Sequence, residues 1–127
     1  MTEGIQKDSK LLDSSIWLGY FLYGEFSEII EKEDFLYLSV LSLFEVQKKL
    51  NKTSLRKEDI EKGVLLMRGK SIILDLTEEI ADKAVDISIE KDMPSIDSMI
   101  YATSLSKNMK VYTKDNDFRG LTNAVVL

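Results

Sequence analysis

At 127 residues, with 44% hydrophobic and 31% charged positions, the chain has the size and balance of one globular domain able to bury a core. The absence of Cys and His excludes disulfides, zinc fingers, thiol catalysis and every His-activated nucleophile, the Ser-His-Asp triad included. A net charge of −5 is a poor global field for attracting nucleic acid, so any such contact rests on a local basic rim.

Residues 1–9 read as a polar leader without the apolar core of a signal peptide. No apolar run approaches the roughly 20 residues that cross a bilayer, so a cytoplasmic protein with no membrane contact is expected. Residues 10–13 give a short buried strand, and Ser14 or Ser15 can cap the helix that follows. That helix, IWLGYFLYGE, is apolar around its circumference, which suits the core or a subunit interface. FSEIIEKE forms a second short helix or a turn. The run FLYLSV lacks polar alternation, as a strand covered on both faces does. Ser42 is then placed to cap a helix carrying Glu45, Val46 and Leu50, in the S-x-x-E capping-box pattern.

A charged helix follows over about 56–68, ended by Gly69, and SIILDL (71–76) reads as a third buried strand. Thr77 with Glu78 or Glu79 opens the next helix, and Pro94-Ser95 opens another that runs to about Ser106. KVYTK and the C-terminal AVVL are the last strands. Strands alternating with helices predict a three-layer α/β/α domain over 10–127, around a mostly parallel sheet of four to five strands.

Asp13, Glu45, Asp97 and Asp115 fall where strands end and helices begin. In a parallel sheet such positions gather at the carboxyl edge, where ligands bind. Four carboxylates in one pocket do not all stay ionised without a cation between them. With oxygen the only strong donor available, that cation is Mg²⁺ or Mn²⁺ rather than zinc. Each acid also has a bland reading. Asp13 can be a helix cap, although Ser14 and Ser15 make a further cap redundant. Glu45 fits a capping box, yet lies in an apolar segment where a carboxylate needs a partner. Asp97 suits the first turn of a helix, and Asp115 with Asp117 suits a turn. Only their coincidence points to chemistry, that of a metal-dependent phosphodiesterase.

LLDSSIWL, SVLSLFEVQKKL, LTEEIADKAVDIS and above all MPSIDSMIYATSLSKNMKVYTKDNDFRGL together resemble the PIN domain, and within it the VapC-type toxin ribonucleases of toxin–antitoxin pairs. The resemblance implies Asp13, Glu45, Asp97 and Asp115 as catalytic metal ligands, Asp117 as an additional acid, and Ser15 and Thr113 as pocket-lining polar groups. It departs from the family in its leader before Asp13, and in Tyr101 and Thr103 where small residues are commoner. The implied reaction is hydrolysis of single-stranded RNA by metal-activated water, leaving a 5′-phosphate and a 3′-hydroxyl.

Lys48, Lys49, Lys52, Lys114 and Arg119 are candidates for the RNA backbone, against the ordinary alternative of solvated surface. A cognate antitoxin should mask the site by offering a basic side chain to the acids. The aromatic first helix, with Trp17, Tyr20, Phe21 and Tyr23, would serve a homodimer or antitoxin surface, or simply the core. Two competing readings are a phosphoacceptor receiver domain using Asp75 with Lys114, and a PIN domain that only scaffolds a complex.

Overall fold

The structure, a computed structural model, describes residues 9–32 and 35–127. Most of the leader therefore lies outside the described residues. Ser9 is already buried, and its carbonyl accepts from the Lys110 amide at 3.3 Å.

In chain order the elements are β1 (Lys10–Leu12), α1 (Ser14–Tyr23), α2 (Ser27–Lys32), β2 (Leu36–Ser39), α3 (Val40–Asn51), α4 (Lys57–Lys70), β3 (Ser71–Leu74), α5 (Glu78–Glu90), α6 (Ser95–Ser106), β4 (Lys110–Thr113), a 3₁₀ turn (Asn116–Phe118) and β5 (Ala124–Val126). The five strands form one sheet in the order β3-β2-β1-β4-β5, and every pairing is parallel. β1 is the central strand, with Leu11 opposite both Tyr37 and Val111.

Side chains alternate across a strand, and here that alternation builds two cores. Leu12, Leu36 and Leu38 join Ile16, Trp17, Val46, Leu50, Ile60 and Met67 beneath α1, α3 and α4. Leu11 and Val111 face the other way, onto Ile100, Tyr101 and Phe118. The expected three-layer α/β/α domain is thus present, with five strands and helices on both faces. Trp17 is fully buried and stacks on Phe21 at 5.6 Å between ring centroids, so most of the aromatic first helix is core. Tyr23 is the exception, at 73% exposure.

Several local expectations are corrected. Ser39, not Ser42, caps α3: its hydroxyl accepts from the Leu41 amide at 3.1 Å, and Ser42 is buried within the helix. The capping-box explanation of Glu45 falls with it. Gly69 does not end α4, which continues to Lys70 and passes directly into β3. The cost of a helical glycine, about 1 kcal/mol, is small against that continuity. β3 is shorter than 71–76 and only partly covered, with Ile72 exposed, because it is an edge strand paired to β2 alone. The receiver alternative also fails here. That architecture has the order 2-1-3-4-5 with its third strand central, whereas β3 and the adjoining Asp75 lie at an edge.

Candidate functional site

β1, β2 and β4 run parallel, so their carboxyl ends open onto one edge of the sheet. Asp13 follows β1 directly, Glu45 lies in the second turn of α3 after β2, and Asp115 stands two residues past β4. Asp97 arrives differently. It follows no strand, but sits in the first turn of α6, which packs on β4 and leads back into it. The start of α6 therefore returns to the edge where β4 ends.

Asp13, Glu45, Asp97 and Asp115 line one cleft of about 420 Å³, together with Ser14, Ser15, Lys49, Lys114 and the α1 residues Leu18, Gly19, Leu22 and Tyr23. Asp13 occupies the cap position of α1, yet its carboxylate makes no cap hydrogen bond. Instead Oδ2 accepts from the Thr113 hydroxyl at 2.8 Å and from the Ser15 hydroxyl at 3.1 Å. Thr113 Oγ1 in turn accepts from the Asp115 amide at 3.0 Å, and Ser15 Oγ from the Lys114 amide at 2.9 Å. These bonds tie the end of β1 to the end of β4. Ser14 donates to Glu45 Oε1 at 2.6 Å, fixing the glutamate from across the cleft, and Lys49 lies 3.6 Å from its Oε2.

The carboxylates act on one another. Among the described residues, Asp97, Asp115 and Asp117 each offer an oxygen, and these oxygens all lie within 4.8 Å of one another. Desolvation pushes the Asp97 carboxyl up to about 7; the charge of Asp115, a hydrogen bond with it, and the charges of Asp13 and Asp117 add to the shift. Burial also raises Asp13 above the usual carboxylate range, opposed by the Thr113 hydroxyl, the Ser14 backbone amide and the Ser15 hydroxyl, and reinforced by the charge of Glu45. Protons held this tightly are what a cation would replace. An all-oxygen donor set with at least three carboxylates in reach of one point fits a hard divalent ion such as Mg²⁺ or Mn²⁺.

Not every named residue lines the cleft. Thr113 is fully buried behind Asp13, so it supports the wall rather than forming it. Asp117 is exposed beside the cleft, with its amide on Asp115 Oδ1 at 2.9 Å. Lys48 and Lys52 line an adjoining groove. Arg119 holds Asn116 Oδ1 through Nε at 3.2 Å and Nη2 at 2.8 Å. Lys114 lies at the cleft, paired with Glu25 at 2.9 Å and above the rings of Tyr23 and Phe26. Sequence reasoning assigned Ser14 only to capping and overlooked Glu25. The serine pair after Asp13 was the available signal, since one helix start needs one cap. Nothing local marked Glu25.

No curated protein matches the sequence. Solved structures share the fold at low identity. One is a toxin–antitoxin complex from Klebsiella pneumoniae, with 21% identity, a TM-score of 0.80 and coverage of 93% of this chain and 97% of that one. A second is a VapBC pair from Rickettsia felis bound to a DNA fragment from its promoter, with 16% identity, a TM-score of 0.73 and coverage of 93% and 96%. A third is a sarcin–ricin-loop-cleaving VapC toxin from Mycobacterium tuberculosis, with 17% identity, a TM-score of 0.71 and coverage of 90% and 95%. The PIN domain profile matches residues 10–123, nearly the whole described fold and all five clustered acids. On that match, this chain belongs to the PIN domain family.

Proposed function

We propose that the protein is a divalent-metal-dependent endoribonuclease of the VapC kind, the toxin of a toxin–antitoxin pair, cutting single-stranded RNA. The observation that carries this reading is the approach of carboxylate oxygens of Asp97, Asp115 and Asp117 to within 4.8 Å of one another, at the edge of a cleft lined by Asp13, Glu45, Asp97 and Asp115, on a PIN fold. The structural likeness to toxin–antitoxin complexes supports the toxin assignment.

Asp97, Asp115 and Asp117 would hold the cation, with Asp13 and Glu45 lining the cleft beside them. When bound, Mg²⁺ or Mn²⁺ supplies Lewis acidity, making water nucleophilic near neutral pH and offsetting charge on the phosphate. The remaining work belongs to the chain. Thr113 and Ser15 hold Asp13 in one orientation, and Ser14 does the same for Glu45. Lys49 and Lys114, both lining the cleft, are placed to take phosphate oxygens, and their present carboxylate partners keep them there. Hydrolysis would leave a 5′-phosphate and a 3′-hydroxyl. Without His, no imidazole has a part in the proton transfers.

A cognate antitoxin would silence the cleft by presenting a basic side chain to the acids. Exposed Tyr23 on its rim offers an apolar contact for that partner or for a second copy of the chain. No helix among the described residues is long and apolar enough to cross a membrane.

The test is cleavage of a mixed-sequence single-stranded RNA with Mg²⁺ or Mn²⁺, against EDTA and an Asp97→Asn variant. Cutting that needs metal and falls at least a hundredfold in the variant, about 3 kcal/mol of transition-state stabilisation, is the expected result. Cutting that survives in the variant exposes a contaminant. Absence of cutting on a broad panel of RNAs leaves a scaffold.

A further inference from the structure

Beside the acidic cleft a second groove, of about 310 Å³, lies between α3 and the start of α6. Its apolar walls are Leu41, Phe44 and Ile96, and its rim carries Lys48 and Lys52; it shares Glu45 and Lys49 with the cleft. Two of the walls are the residues immediately before cleft carboxylates, Phe44 before Glu45 and Ile96 before Asp97. Phe44 is 66% exposed, and the Lys48 ammonium lies 6.0 Å from its ring centroid. A single apolar side chain on a surface is unremarked. Here an open aromatic face combines with three ammonium groups against one carboxylate, on a protein whose net charge is −5.

We infer that this groove is a nucleotide subsite, in which one unstacked base of a single-stranded RNA lies on the Phe44 ring and the neighbouring phosphates meet Lys48 and Lys52. The inference rests on the nuclease reading and extends it to how the substrate is held. The volume is at the lower end for ligand sites. Lys48 follows Phe44 by four residues on α3, and Lys52, just past the end of that helix, follows by four more, so a chain with a flat apolar group and regularly spaced negative charges is the complementary ligand. A duplex keeps its bases stacked and cannot present one to the ring. An acidic amphipathic peptide shares some of this complementarity, but continuity through Glu45 and Lys49 favours RNA. A strand with its phosphate at the carboxylates must leave the cleft on some side, and this groove adjoins it.

The experiment is an anisotropy titration of a fluorescein-labelled, mixed-sequence RNA of about 12 nucleotides, in an Asp97→Asn background that keeps the RNA intact. Phe44→Ala should weaken binding roughly 5- to 150-fold, the weight of one base–aromatic stack. Phe44→Trp should restore it, and both should melt like their parent because the ring is exposed. Replacing Lys48 and Lys52 together by Gln should flatten the slope of log affinity against log salt by about 1.4, two contacts at about 0.7 each. Parent-like affinity in Phe44→Ala, or a loss that Phe44→Trp does not restore, overturns the subsite. So does a synthetic acidic amphipathic peptide that loses binding in Phe44→Ala while the RNA does not. Should the native protein never cut RNA, a Phe44-dependent affinity still upholds the subsite while the nuclease reading fails. Cutting with Phe44-independent affinity gives the reverse.

Discussion

Thr113 shows how much of the site depends on a residue that never meets solvent. Its single hydroxyl donates to Asp13 Oδ2 and accepts from the Asp115 amide, while lying 3.3 Å from Ser15 Oγ. Replacement by Val keeps the shape and removes both bonds. Asp13, already raised by burial, then keeps Ser15 as its one hydroxyl donor, and the Asp115 amide loses its acceptor. Thr113→Val should cost about 1–3 kcal/mol in urea unfolding and reduce turnover, whereas Thr113→Ser should recover most of both. Equal stability of the Val variant would show that the hub bonds contribute nothing. At this scale the acids were legible in the sequence and their supports only partly so. A carboxylate in an apolar segment announces that it needs a partner; it does not say that Glu45 will find it in Ser14, 31 positions away. Thr113 was named as part of the pocket, but whether a hydroxyl faces the cavity or stands behind a carboxylate depends on strand register.

Among the elements, the loop after α1 has a defined task. Gly19 lets that loop fold back on the helix: a Cβ there would sit 2.6 Å from Glu25 Oε1 and 2.8 Å from the Phe26 ring. Glu25 pairs with Lys114, and the Phe26 ring lies 5.7 Å from the same ammonium. The glycine thus allows α1 to hold a cation that β4 delivers to the cleft. Gly19→Ala should leave the melting temperature close to the parent value, because the gain of about 1 kcal/mol in helix propensity offsets the displaced contacts. KM for RNA should rise roughly 2- to 12-fold, as a freed lysine now loses about 0.5–1.5 kcal/mol of side-chain freedom on binding. An unchanged KM would remove Lys114 from the substrate contacts. The same scale shows where sequence patterns reach their limit. The order of strands and helices followed from periodicity, whereas the start of α3 and the exposure of β3 did not. Ser39 and Ser42 are both adequate caps, and the chain turns at the first because β2 completes its register with β3 there, Ser39 opposite Leu74. SIIL is as apolar as a central strand, but only the assembled sheet leaves it at an edge.

Across the whole molecule, the acids that equip the cleft oppose folding when no cation is present. Asp97 holds a proton to about pH 7 in the folded state, whereas the unfolded chain releases it near 3.8. Between those values the folded state binds more protons, so stability should fall as pH rises through that window. Raised Asp13 contributes in the same direction. A divalent ion needs the ionised carboxylates, so its affinity should rise over the same interval, and ligation of the folded state adds stability by mass action. In EDTA the melting temperature should therefore be lower at about pH 8 than at about pH 5.5, with added Mg²⁺ or Mn²⁺ raising it far more at the higher value. Asp97→Asn should melt above the parent in EDTA at about pH 8, by about 1 kcal/mol or roughly 3–6 °C, and should respond weakly to metal. The comparison separates the cleft from the general repulsion of a chain with net charge −5, since that background persists almost unchanged in the variant. A parent whose melting temperature ignores both pH and metal would mean that the carboxylates neither repel one another nor share an ion. Because the resting proton and the cation compete for the same oxygens, the instability measured in EDTA and the affinity measured with metal have one origin.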